Sequence, residues 1–115
     1  MGMASDHEKL RAYHSAAALG DAVWRSVLGW PSFARWTVGK QLTRAADSVA
    51  ANIAEGASRH HGPDRRRFYT VARGSLAETE HWIARAGTRG LPVPELATNE
   101  LGRMLNGLIN SPVPR

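Results

Sequence analysis

The chain has no cysteine among its 115 residues, which excludes disulfide bonds, thiolate metal ligands and a cysteine nucleophile. This fits a reducing compartment, and we expect a cytoplasmic protein. Long apolar runs are also missing. The most apolar stretch, residues 16–24, is interrupted by Asp21 and is less than half of the roughly 20 residues that a membrane-spanning helix needs. We therefore predict no membrane partner.

Lysine is nearly absent as well, with Lys9 and Lys40 the only two, so arginine carries almost all of the positive charge. The formal net charge is +5. A basic surface attracts nucleic acid, anionic lipid or an acidic protein through the same long-range field. The charge alone therefore does not identify a partner.

Amphipathic patterns with a helical period predict four helices. We place them at about residues 6–28, 37–56, 64–86 and 94–110. Ser5 and Glu8 form a capping-box pattern before the first helix, and Gly56 is expected to stop the second. Short connections between amphipathic helices are typical of bundles with antiparallel neighbours. The sequence predicts an all-α protein, a single up-down-up-down four-helix-bundle domain over residues 1–115.

Apolar side chains at helical spacing are assigned to the core. In the first and third predicted helices these include Leu10, Tyr13, Ala17, Val23 or Trp24, Val27, Phe68, Val71, Ala72, Trp82, Ile83 and Ala86. The aromatic connector, residues 30–36, is expected to cover one end of the bundle rather than bind a ligand. Gly74 costs about 1 kcal/mol against alanine in a helix, which predicts that a neighbouring backbone comes close there.

Polar residues recur at helical spacing beside the apolar face of the second helix and continue on the third. We predict that they form a buried network that fixes the register of the helices: Arg44, Ser48, Asn52, Glu55, Arg73, Ser75 and Glu78. Carboxylates beside a guanidinium can also mark a catalytic site. No pair of nucleophile and base accompanies them, so the structural interpretation is preferred and we do not expect an enzyme.

The turn between the second and third predicted helices is strongly basic. Its cationic residues are Arg59, His60, His61, Arg65, Arg66 and Arg67. They lie at a helix N-terminus, where free backbone N–H groups and the helix dipole favour anions, so we predict a phosphate-binding site there. The alternative is a solvated helix end with ordinary surface arginines.

Histidines give weak candidates for metal ligands. His7 and His14 are seven residues apart, and His60 and His61 are adjacent beside a turn. Neither pair has a spacing, such as His-Glu-x-x-His, that specifies a metal site. We predict no bound metal and no cofactor.

Three blocks of the sequence are similar to one known family. They are residues 41–56 (QLTRAADSVAANIAEG), the residues Arg67-Phe68 and Ala72-Arg73-Gly74-Ser75 with Glu78, and residues 103–109 (RMLNGLI). Together they closely resemble the bacterial intervening-sequence proteins, which are encoded within insertions in large-subunit ribosomal RNA genes and elsewhere in genomes. Asp47 departs from the pattern, because an apolar residue is usual at that position.

The resemblance implies a four-helix up-down bundle that assembles as a ring-shaped homopentamer. It also implies kinship with the accessory variability protein of diversity-generating retroelements, a basic pentamer that binds nucleic acid and the reverse transcriptase. Small residues that would allow close helix approach in such an assembly are Gly20, Gly39, Ala50, Ala51 and Ala54.

Two functions follow as hypotheses. The first is a non-enzymatic, oligomeric accessory factor that binds RNA or DNA with little sequence discrimination, by neutralising phosphates. The alternative is a protein-interaction scaffold that docks an acidic protein partner. A reverse transcriptase or another protein is a further candidate partner through the resemblance.

Overall fold

The computed structural model describes residues 5–95 and 98–111, and within them the chain is helical with no strand. Five helices follow one another: α1 (Asp6–Leu28), α2 (Ser32–Trp36), α3 (Val38–Ala57), α4 (Gly62–Thr88) and α5 (Thr98–Ile109). Helix α1 packs against α3 and α5, α4 packs against the same two helices, and α2 packs on α3. The molecule is elongated, 51 × 20 × 18 Å. None of the described helices is both long and apolar enough to cross a membrane.

Helix α1 has the predicted bounds, and local chemistry explains its start. The Glu8 backbone N–H donates to Ser5 Oγ at 3.0 Å, and the Ser5 N–H donates to Glu8 Oε1 at 3.4 Å. These two bonds complete the predicted capping box, which satisfies N–H groups that have no partner within the helix.

The aromatic connector forms the short helix α2, and only one of its rings is buried. Trp30 is 1% exposed, and its indole N–H donates to the Pro92 carbonyl at 2.8 Å. The prediction for this ring is confirmed. It is wrong for Phe33 and Trp36, which are 83% and 69% exposed. These rings are three residues apart on a five-residue helix, so they share its outer side while Ala34 packs inward.

Helix α4 is longer than predicted, whereas α3 has the predicted length and begins and ends one residue later. Gly56 lies inside α3 rather than stopping it, and an added Cβ would come within 2.7 Å of the Tyr69 ring. Glycine is needed there for close packing of α3 on α4. Helix α4 begins early, at Gly62, because Pro63 suits the first turn. At Gly74 no neighbour lies within 4 Å of an added Cβ, so the predicted close approach is wrong.

Helix α5 begins later than predicted. Pro94 and Glu95 are not helical, and the first described residue of the helix is Thr98. The preceding segment instead lies against the end of α1, where Ser26 Oγ donates to the Pro92 carbonyl at 3.0 Å. The apolar face of α5 is as predicted: Leu101, Leu105 and Leu108 are buried, and Met104 is half-buried.

Helix α1 buries only part of its predicted face, namely Val27 and, of the alternatives Val23 and Trp24, Val23. Its buried residues are Ala12, Ala16, Leu19, Val23 and Val27, spaced three and four apart. Leu10, Tyr13 and Trp24 were expected inside and are exposed, with Trp24 at 55%. On α4, Val71 is likewise exposed. Apolar residues on neighbouring stripes of one helix compete for the core, and helical spacing does not decide which stripe is buried.

Candidate nucleic-acid interface

The basic corner consists of the turn 58–61 and the first two turns of α4. His60 and His61 are exposed, and His61 precedes the helix without a side-chain hydrogen bond to it. The predicted arginines all lie in this corner, in the turn and at the start of α4. Glu55, on the last turn of α3, also belongs to it.

Two arginines of the corner hold one aromatic ring between them. The guanidinium carbon of Arg59 lies 4.9 Å from the centre of the Phe68 ring, and that of Arg67 lies 4.8 Å from it. Arg59 is also paired with Glu55 at 2.8 Å, and Arg67 lies 3.8 Å from Asp64. Cation–π contacts fix guanidinium groups without consuming their hydrogen-bond donors. Phe68 was expected in the core; it is half-buried and supports the cations instead.

The other two arginines bond to main-chain carbonyls. Arg65 Nη1 donates to the Arg59 carbonyl at 3.0 Å. Arg66 Nε donates at 3.3 Å to the carbonyl of Ile109, the last residue of α5. The C-terminus of α5 is therefore part of the corner. Sequence spacing gives no signal for this contact, because it joins residues 43 positions apart.

The charge of the corner comes from its side chains rather than from the helix terminus. Pro63 has no N–H, and Asp64 places a carboxylate in the first turn of α4, where it already complements the helix dipole. Four guanidinium groups face two carboxylates, Glu55 and Asp64, so with neutral histidines the corner has a net charge of +4 − 2 = +2. A guanidinium has five N–H donors, so donors remain for a phosphate.

Tyr69 underlies the corner with its hydroxyl buried. The hydroxyl has no hydrogen-bond partner in the described part of the chain, and burial raises its pKa, with the charge of Arg65 acting in the opposite direction. The ring fills the space left by Gly56. Tyr69 therefore fixes the helix that presents the arginines and is not itself presented to a ligand.

Part of the predicted polar network is present between α3 and α4. Ser48 Oγ and Ser75 Oγ are 3.0 Å apart, and Asn52 Nδ2 donates to Ser48 Oγ at 3.0 Å and to the Ser48 carbonyl at 2.8 Å. Arg44 is paired with Glu78 at 2.5 Å. The structure adds Trp82, whose indole N–H donates to Glu78 Oε2 at 3.1 Å. The serines and Asn52 are half-buried, as a register-fixing network requires.

Glu55 and Arg73 lie outside this network, which corrects the prediction. The Glu55 side chain is 48% exposed and bonds to Arg59, four residues ahead on the same end of α3. Arg73 lies on the other side of α4, where its Nη2 would be 3.6 Å from a Cβ added to Gly102 of α5. Helical spacing alone does not distinguish two neighbouring stripes on one helix.

Asp47 lies at the contact between α3 and α1. Its carboxylate fits against Gly20, where an added Cβ would be 2.7 Å from Asp47 Oδ1. Partial burial and, to a smaller extent, the neighbouring Asp21 raise the pKa of Asp47. Gly20 and Gly39 both pack against neighbours within the chain, whereas Ala51 and Ala54 are exposed.

A second surface was missed by the sequence analysis. A groove of about 430 Å³ lies between α1, α2 and the first half of α3. It is lined by Trp24, Val27, Leu28, Arg35, Trp36, Gly39, Lys40, Thr43 and Arg44. We call it the aromatic groove. The signal was the density of tryptophan around residues 24–36, but which of those rings would be exposed depends on the rotation of α1.

Comparison with known protein families identifies a match to most of the chain. The family described as 23S rRNA-intervening sequence protein matches residues 8–107, which include both helices of the basic corner and the aromatic groove. The comparison with curated proteins gave no match. Because the family match spans most of the chain, from the first turns of α1 into α5, the chain belongs to the family of 23S rRNA-intervening sequence proteins.

Proposed function

We propose that the protein is a non-enzymatic accessory factor that binds the phosphate backbone of RNA or DNA with little sequence discrimination. The observation that supports this most is the grouping of four guanidinium groups with only two carboxylates in the basic corner. Arginine contacts to phosphate position a protein without reading bases. A cytoplasmic location remains a prediction from the cysteine-free sequence.

Charge reversal in the corner tests the proposal. Replacing Arg65, Arg66 and Arg67 together by glutamate should abolish binding of labelled duplex RNA, measured by fluorescence anisotropy at low salt. The matched control reverses three exposed arginines elsewhere, Arg25, Arg85 and Arg89. This control changes the net charge of the protein by the same amount. A loss of RNA binding that is confined to the corner variant would therefore identify a binding site rather than an effect of the overall electrostatic field. Circular dichroism should show unchanged helicity for both variants.

Salt dependence gives an independent measure for the wild-type protein. For duplex DNA, the logarithm of affinity should fall by about 0.9 per neutralised phosphate for each unit of log salt. A second corner variant with glutamine at the same three positions should have a shallower slope. Absence of binding by the wild-type protein at low salt, or equal binding by the glutamate variant, would reject the proposal. The alternative, a scaffold that docks an acidic protein partner, would then be preferred.

We also propose self-association into a closed ring, with five subunits as the resemblance implies. Supporting this, exposed Leu10 and Tyr13 border a hollow of about 350 Å³ that includes Ala54 and Ala57. Repetition of a weak phosphate site around a ring would strengthen binding through multivalency. Light scattering coupled to size exclusion should give a pentamer, and Leu10→Glu with Tyr13→Glu should give smaller species. A wild-type monomer at micromolar concentration would contradict this.

The arrangement of the four long helices is inferred to be up-down-up-down. Two contacts support the antiparallel order of its last two helices. The start of α4 reaches the end of α5 through Arg66 and Ile109, and Glu80 in the second half of α4 accepts a hydrogen bond from Thr98 at the start of α5 at 2.6 Å. Distance measurements between spin labels at the two ends of each helix would test the order.

A further inference from the structure

We propose that the aromatic groove binds unpaired bases of a single-stranded nucleic acid, with adjacent phosphates held by Lys40 and Arg35. The inference rests on the proposed function and makes it more specific, because it predicts a preference for single strands over duplexes. It requires exposed rings, cations at the groove and a groove wall without carboxylates.

Two indole rings lie at the groove and are open to solvent. Trp24 on α1 is 55% exposed and Trp36 on α2 is 69% exposed, and both line the same groove. Leu28, also exposed, lies one helical turn after Trp24. Proteins that bind single strands without sequence preference use aromatic side chains of this kind, because every base has a face that can stack. A duplex keeps its bases stacked inside and cannot use such rings.

The cations of the groove favour an anionic ligand. Arg35, Lys40 and Arg44 line it, and none of the lining residues is acidic. Arg44 is partly neutralised by Glu78, which leaves Lys40 and Arg35 as the stronger candidates for phosphate. Arg35 Nη2 donates to the Trp30 carbonyl at 3.2 Å, so its guanidinium is held in place at the groove wall. Flat apolar rings beside fixed cations match a nucleotide, which has a flat base and a charged phosphate.

A second copy of the chain is the competing occupant of this surface. The contacts of a ring are heterologous, so the groove would then meet a different surface of the next copy. The hollow near Leu10 and Tyr13 lies toward the other end of α1 and is lined by both Asp6 and Lys9, whereas the groove has cations and no carboxylate. This unbalanced positive charge favours nucleic acid as the occupant of the groove, and the oligomer size of the groove variants tests the alternative.

The test uses two probes, a short labelled oligouridine and an RNA duplex of equal length. Trp24→Ala with Trp36→Ala should weaken oligouridine binding at least about tenfold, given what single stacking contacts contribute, and leave duplex binding unchanged. The matched control is Phe33→Ala, which removes an exposed ring from α2 that does not line the groove. Lys40→Glu, with both indoles kept, should also weaken oligouridine binding and should reduce its salt dependence.

Three results would overturn the inference. They are unchanged oligouridine binding by the double tryptophan variant, an equal loss for duplex and oligouridine, and a change in oligomer size, which would make the groove a contact between copies. The corner variants separate the two proposals. If wild-type protein binds duplex and loses it on corner charge reversal while the groove variants have no effect, the inference fails and the proposed function stands. If wild-type protein binds neither probe, both fail.

Discussion

The basic corner and the aromatic groove lie near opposite ends of the molecule. They differ in how many contacts their side chains make with other residues of the protein. In the corner, each arginine contacts a carboxylate, a carbonyl or the Phe68 ring. In the groove, the Trp24 and Trp36 rings face solvent. Water solvates charge well, whereas clustered exposed indoles suggest a partner. The corner therefore has the charge for a ligand, and the groove has the stronger reason to be covered by one.

The largest difference in stability is expected between substitutions of two tryptophans that lie at the same end of the molecule. Trp30→Ala should lower the free energy of unfolding by about 3–5 kcal/mol, because it empties a buried site and removes the bond to Pro92. Trp36→Ala should cost less than about 0.5 kcal/mol, because its ring is exposed. Urea denaturation at a fixed protomer concentration measures both. Equal losses would mean that Trp36 is covered in the assembled protein.

Glycine substitutions should show that both ends are closely packed. Gly56→Ala at the corner and Gly39→Ala beside the groove should each destabilise by about 1–3 kcal/mol, because the new methyl group meets Tyr69 or Val27 at 2.7 Å. Gly74→Ala is the control and should stabilise the protein by about 0.5–1 kcal/mol, since nothing lies near it. Thermal melts would rank the three variants. A neutral Gly56→Ala would show that the Tyr69 ring can move aside.

The two glutamates assigned to one network should behave differently. Glu78→Leu should destabilise by about 1–3 kcal/mol, because it leaves the Trp82 indole N–H without its acceptor. Glu55→Leu at the corner should cost less than about 1 kcal/mol, since it breaks an exposed pair with Arg59. Chemical denaturation distinguishes these outcomes. A large effect of Glu55→Leu would restore this residue to the register-fixing network.

The smallest effect on the free energy of unfolding is expected for Asp47, which lies midway between the corner and the groove, and this effect should depend on pH. Burial raises the pKa of Asp47, so the charged carboxylate opposes folding, and stability that is fully present below the unfolded pKa is lost as pH rises through the folded pKa. Asp47→Asn should therefore stabilise the protein at pH 7, by less than about 1 kcal/mol because the side chain is mostly exposed. The gain should disappear toward acidic pH. Melts of both proteins across this range provide the measurement, and a gain that grows on acidification would contradict the assignment.

Local signals in the sequence predicted the local structure well. The capping box at Ser5 and Glu8 correctly places the start of α1, and the leucine spacing gives the buried face of α5. The predicted start of α5 was wrong, because Pro94 is compatible with a first helical turn and also with the extended segment that bonds to Trp30. Only the fold decides between the two.

The periodicity of the sequence could not predict the rotation of each helix about its own axis, and therefore which of its faces is buried. The stripe that includes Leu10, Tyr13 and Trp24 and the stripe that includes Ala12, Ala16 and Val23 both follow the helical period on α1, and the second is buried. The same ambiguity separated Glu55 and Arg73 from the network. The basic corner was predictable because its residues are adjacent in sequence, whereas its contact with Ile109 and the whole aromatic groove depend on tertiary packing.

The hydrogen bond from the Trp30 indole N–H to the Pro92 carbonyl should distinguish Trp30 from the other tryptophans in NMR spectra. Trp30 and Trp82 donate their indole protons within the fold, whereas Trp24 and Trp36 are open to water. In a hydrogen-exchange experiment by NMR, the Trp30 indole resonance should persist longest, since its release requires the end of α1 to part from the segment before α5. That single resonance would report opening of this end of the molecule, while the Trp24 and Trp36 signals report what binds beside it.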